Sequence, residues 1–81
     1  MKVRFTTRAD KDYAELTKTV RKAFAKQLEF LLADLRNPSL RAKKYEGVDD
    51  LWRARVNRSW RFYFKIDGDE YAIIAIVPHP K

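Results

Sequence analysis

The stretch LWRARVNRSWRFYFKIDGDEYAIIAIV, residues 51–77, alternates in a way that a β-sheet explains. From Leu51 to Val56, the residues Trp52, Ala54 and Val56 alternate with Leu51, Arg53 and Arg55. From Trp60 to Ile66, Trp60, Phe62, Phe64 and Ile66 alternate with Arg61, Tyr63 and Lys65. A period of two puts each set on its own face of a strand. Asn57-Arg58-Ser59 reads as the turn between the two strands. Asp67-Gly68 predicts a tight hairpin, because glycine tolerates the positive φ such a turn needs. Tyr71 to Val77 is nearly all apolar, the pattern of a central strand covered on both faces. Pro78 and Pro80 stop it.

Upstream, the period changes. Lys2 to Thr6 reads as a short strand with Val3 and Phe5 on one face. Thr7 followed by Asp10 resembles a capping box and opens a helix striped by Ala9, Tyr13 and Leu16. Thr17-Lys18-Thr19 predicts a break, with Thr19 as the next cap. Val20, Phe24, Leu28, Leu31, Leu32 and Leu35 then recur every three or four residues, the stripe of a core-facing helix. Asn37-Pro38 ends that helix, since the residue before proline avoids the α region. Ser39 to Asp50 reads as a basic loop. The order is β-α-α-β-β-β: an α+β fold, with a small antiparallel sheet and two N-terminal helices on its apolar face.

Residues 1–81 are expected to form a single domain. With 46% hydrophobic and 14% aromatic residues, the chain is too rich in core formers to be disordered. There is no cysteine, so neither a disulfide nor a thiolate metal site can form, which suits a cytoplasmic location. The opening MKVRFTTRAD has no apolar signal-peptide core. No apolar run approaches the roughly 20 residues of a membrane span. Eighteen Lys and Arg against eleven Asp and Glu give a net charge of +7, which points to an anionic partner. The excess is densest from residue 41 to 65, with eight basic and three acidic side chains.

If the aromatic sets face inward, Arg53 and Arg55 share the outer face with Arg61, Tyr63 and Lys65. Such a cluster repels itself unless anionic oxygens sit among the guanidinium groups, and the planar guanidinium fork suits phosphate. Arg41, Lys43, Lys44 and Arg58 would extend the surface along a nucleic-acid backbone, and Tyr63 could stack on a base. The plainer reading is a solvated charged face; the scarcity of carboxylates on it favours nucleic acid. His79 is the single histidine and the one ready general acid or base near neutral pH, although a lone histidine after a last strand is commonly just exposed. The alternation of Trp52 and Trp60 assigns them to the core. Asp49-Asp50 and Asp67/Asp69/Glu70 sit at turns and make a poor case for a metal site.

Three segments carry a resemblance to a known family: NPSLRAKKYEG at 37–47, LWRARVNRSWRFYF at 51–64, and the ending VPHPK. Together with the opening strand and helical hairpin, they resemble the RelE/ParE superfamily of type II toxins. That resemblance implies a ribosome-dependent mRNA endonuclease that uses no metal or other cofactor. In it the 2′-OH attacks the adjacent phosphate while fixed cations stabilise the transition state. It also implies three partners: a small acidic antitoxin, the ribosome and mRNA. By position, Arg53 and Arg55 match the family's basic pair, Arg61 the arginine of the next strand, and His79 the C-terminal basic or histidine position. Pro80 follows His79 where many members carry Arg or Lys, and the C-terminal tyrosine of many members is missing. The general base or acid is accordingly open among His79, Lys44 and Glu46. A binding module without cleavage and a ParE-like gyrase poison are the alternatives.

Overall fold

Five strands and two helices build the protein, and a computed structural model describes residues 1–45 and 50–79. Strand β1 is Lys2–Phe5, helix α1 Thr7–Glu15 and helix α2 Lys18–Ala33. A single 3₁₀ turn, Pro38–Leu40, leads to β2 (Lys43–Lys44), β3 (Leu51–Arg55), β4 (Trp60–Asp67) and β5 (Glu70–Pro78). The sheet order is β1-β5-β4-β3-β2.

The expected antiparallel sheet holds from β2 to β5, with two differences. Strand β1 runs parallel to β5, with Val3 opposite Tyr71 and Phe5 opposite Ile73, so the sheet is mixed. A two-residue strand, β2, lies within what the sequence reads as a basic loop; its pairing with β3 is backbone hydrogen bonding, which side-chain patterning does not reveal. Gly68 makes the β4–β5 turn at φ +60. Strand β5 sits between β1 and β4, and its Tyr71, Ala72, Ile73, Ala75 and Ile76 are buried. Its apolar composition follows from that central place.

Both helix caps lie earlier than the sequence suggests. The hydroxyl of Thr6, not Thr7, accepts from the Ala9 amide, and that of Thr17, not Thr19, accepts from Val20. In each case the threonine three residues before the bonded amide has extended backbone, as a cap requires. Where β1 ends, α1 takes over the edge of β5. Thr6 Oγ1 donates to the Ile74 carbonyl at 3.1 Å, and Asp12 Oδ2 accepts from the Ile76 amide at 3.0 Å.

The buried row of α2 is Val20, Phe24, Gln27 and Leu31, spaced by four, three and four residues. Leu32, expected in the stripe, is instead 40% exposed, because it lies about 100° further round the helix than Leu31. Phe24 meets Phe62 edge to face at 5.2 Å and also contacts the rings of Phe5 and Tyr13. Each such aromatic pair contributes about 0.5–1.5 kcal/mol beyond area burial. Trp52 and Trp60 pack half-buried against this core, Trp52 stacked on Phe64. No helix among the described residues is long and apolar enough to cross a membrane.

Candidate functional site

The core fixes the outer face. Because Ala54, Phe62 and Phe64 are fully buried, the alternating residues between them must project the other way. The β3–β4 register sets Arg53 opposite Tyr63 and Arg55 opposite Arg61, and β2 sets Lys43 opposite Arg53. Opposed residues share a face, so the basic sets of three strands project together. Toward β5 the same face becomes apolar, with Ala75 opposite Tyr63 and Val77 opposite Arg61.

A cavity of about 170 Å³ opens among these side chains, lined by Arg41, Lys43, Arg53, Ala54, Arg61 and His79. Four cations and one imidazole, drawn from four parts of the chain, therefore surround one small space. Arg41 enters from a left-handed backbone conformation, φ 47 and ψ 41, at the end of the 3₁₀ turn. A non-glycine residue held there costs on the order of 1–2 kcal/mol, which the surrounding structure must offset.

Arg61 is held in place by backbone. Its Nη1 donates to the carbonyls of Asn57 at 2.6 Å and Trp60 at 2.9 Å. The loop that offers those carbonyls is itself braced, with the Ser59 amide donating to Asn57 Oδ1 at 2.8 Å. Burial, and then the charges of Arg55, Arg53 and Arg41, push the Arg61 guanidinium pKa down. The carboxylate partner that would make it a simple salt bridge is not found among the described residues. The ion pairs found there lie elsewhere: Arg4 with Asp67 and Glu70, Arg8 with Asp12, and Lys44 with Asp50.

His79 reaches the cavity because its amide donates to the Ser59 carbonyl at 2.7 Å, which ties the end of β5 to the β3–β4 turn. Its Nδ1 is shielded from solvent and has no hydrogen-bond partner. Burial lowers the imidazole pKa below the usual 6.5, and Arg61 and Arg53 lower it further. Near neutral pH this ring is uncharged and able to accept a proton.

The remaining predicted residues lie around this centre. Arg55 shares the face but not the cavity lining. Arg58 is exposed in the 57–59 turn. Tyr63 stands beside Arg53's strand, its hydroxyl 3.4 Å from that of Tyr45. Lys44 falls opposite Trp52, on the other side of β2 from Lys43, and its Nζ lies 3.6 Å from Asp50. Glu46, Asp49 and Pro80 lie outside the described residues.

Sequence reasoning missed Tyr45 on this face. Tyr45 meets Tyr63 edge to face at 5.7 Å, with the Arg53 guanidinium 5.7 Å above the Tyr45 ring. The hydrogen bond that the Tyr63 hydroxyl shares with Tyr45, followed by burial, pushes the Tyr63 hydroxyl pKa up. The available signal was the spacing of Lys43 and Tyr45, two residues apart and thus on one side of an extended segment.

The fold has counterparts among solved structures, and the class of molecule follows from a family model that spans nearly the whole chain. The fold matches a YoeB/ParE toxin from Agrobacterium tumefaciens with a TM-score of 0.84 at 15% identity, covering 99% of this chain and 100% of that one. The isolated RelE toxin of E. coli matches at 0.79 and 22% identity, covering 99% and 85%. The archaeal RelE in a RelE–RelB complex from Pyrococcus horikoshii matches at 0.77 and 21%, covering 95% and 92%. At these identities the likeness is one of fold. Residues 3–80 match the family model described as the ParE toxin of the type II toxin–antitoxin system parDE, and the chain belongs to that family, within the RelE/ParE superfamily of toxins. No curated protein matches it by sequence.

Proposed function

We propose that this toxin acts as a ribosome-dependent mRNA endonuclease. The observation that carries the reading is the cavity in which Arg41, Lys43, Arg53 and Arg61 surround a space beside the uncharged His79 imidazole. In this reading a scissile phosphodiester enters among the cations. The imidazole takes the proton of the ribose 2′-OH, and the 2′ oxygen forms a bond to phosphorus. The bond from phosphorus to the 5′ oxygen breaks, and that oxygen leaves as a hydroxyl after gaining a proton from solvent. The products are a 2′,3′-cyclic phosphate and a 5′-hydroxyl end. Arg61 meets the extra negative charge of the transition state without reorganising, because two backbone carbonyls already orient it.

An antitoxin partner is part of this proposal. Solved relatives of the same fold are complexes of RelE with RelB, and a net charge of +7 suits an acidic partner that covers the basic face.

Mapping mRNA 5′ ends during translation in cells expressing the protein tests the reading. Cleavage is expected with the native chain, and Arg61→Ala should reduce it by roughly 10²–10³-fold. Cleavage unchanged by that substitution would remove Arg61 from the mechanism. The family match favours a second reading, a ParE-like gyrase poison. Pulse-labelling separates the two: an mRNA endonuclease stops protein synthesis first, a gyrase poison DNA synthesis.

A further inference from the structure

Gln27 is the one buried polar side chain among the described residues. It occupies the core-facing row of α2 between Phe24 and Leu31, where an apolar residue is the ordinary choice. Its Nε2 donates at 2.9 Å to the Ser39 carbonyl and at 2.9 Å to the Arg55 carbonyl. Both hydrogens of one amide nitrogen are thus used on backbone acceptors from two separate parts of the chain.

These two acceptors are not arbitrary. Ser39 lies within the 3₁₀ turn whose capping residue is Arg41. Arg55 ends β3 and stands opposite Arg61. Strand β2 pairs with β3 only at Trp52 and Arg53, so it stops short of Arg55. Gln27 supplies a donor where a longer β2 would have supplied one. The turn leading to Arg41 and the strand end facing Arg61 meet on a single carboxamide.

We infer that Gln27 is a positioning residue: its carboxamide sets the spacing between the Arg41 turn and the β3–β4 hairpin, and so sets the shape of the cation-lined cavity. The inference rests on the proposed reading of that cavity as the RNA site only for its functional consequence. The strut itself stands on geometry. It also accounts for a polar group kept in a small core. A hydrophobic residue there would pack as well but would leave two carbonyls without donors and the two segments free to drift.

The test compares Gln27→Met, close in volume but without donors, with Val20→Ala, an apolar truncation on the same helix. A cavity of about 340 Å³, lined by Gln27, Lys26, Ser39 and Asn57 among others, leaves room for the longer reach of a methionine side chain. Two readouts are taken on each folded protein. One is the NMR titration of His79, the single histidine; the other is affinity for a 2′-O-methyl oligoribonucleotide that cannot be cleaved. Gln27→Met is expected to move the His79 midpoint toward 6.5 and to weaken oligonucleotide binding about tenfold, the size of effect of a lost supporting contact. Val20→Ala is expected to lower thermal stability while leaving both readouts at their native values. The strut is overturned if the two variants titrate alike. A native protein that does not bind the oligonucleotide sinks the RNA reading but leaves the His79 comparison to decide the strut. Should Gln27→Met not fold, hydrogen exchange of the native Gln27 carboxamide decides instead: slow exchange supports the strut, and solvent-like exchange removes it.

Discussion

Arg55 and Arg61 stand directly opposite each other across the β3–β4 ladder, two guanidinium-bearing residues on one face of the sheet. Like charges in that arrangement destabilise a strand pair by up to about 1 kcal/mol. A sheet selected for stability alone would place a carboxylate at one of the two positions. Under the function proposed above, a phosphate backbone crossing this face would offset the repulsion.

Replacing Arg55 should therefore separate stability from binding. Arg55→Glu is expected to raise the free energy of unfolding by about 0.5–1 kcal/mol, measured by urea denaturation. The same substitution should weaken oligoribonucleotide binding. A variant that loses stability would show that Arg55 contributes to the fold through its aliphatic stem rather than straining it.

A second prediction concerns pH. Burial, Arg61 and Arg53 hold the His79 pKa below 6.5 in the folded protein. Between that lowered value and 6.5, the unfolded chain binds more protons than the native one. Stability from this group is therefore complete above pH 6.5 and falls as pH drops through the window. The NMR midpoint of His79 should lie below 6.5, move upward in Arg61→Ala, and move upward again when phosphate occupies the cavity. RNA cleavage should decline on the acid side as the imidazole gains its proton.

Lys43 and Lys44 should behave differently although they are adjacent. Lys43 projects with Arg53 into the cavity, whereas Lys44 falls on the opposite side of β2 and lies 3.6 Å from Asp50. Each phosphate contact on a single strand contributes about 0.7 to the slope of log affinity against log salt. Lys43→Ala and Arg53→Ala should each reduce that slope by about 0.7, and Lys44→Ala should leave it unchanged. Equal effects from the two lysines would mean that the RNA reaches round the edge of the sheet.

Much of this was legible along the chain. Arg53, Arg55, Arg61 and Tyr63 alternate with buried residues, so their common face follows from the pleat. Phe24 and Leu31 reveal the helix stripe, and Asp67-Gly68 the hairpin. The parallel pairing of β1 with β5 was not legible, because a lone amphipathic strand carries no mark of its partner's direction. Nor was Gln27: a glutamine in a helix stripe reads as a surface residue until its two acceptors are seen. Lys44 is the converse case, since charge density counts it with Lys43 and only the register places the two on different sides of β2.

By itself, then, the order of residues settled the α+β class, the core stripe and the shared outward face of the strand arginines, because period and turn chemistry are local properties. Tertiary structure alone decided that Arg41 and His79, 38 positions apart in the numbering, line the same cavity, and that backbone carbonyls orient Arg61. Those relationships depend on where distant segments close upon one another, and loop closure leaves no periodic trace in a sequence.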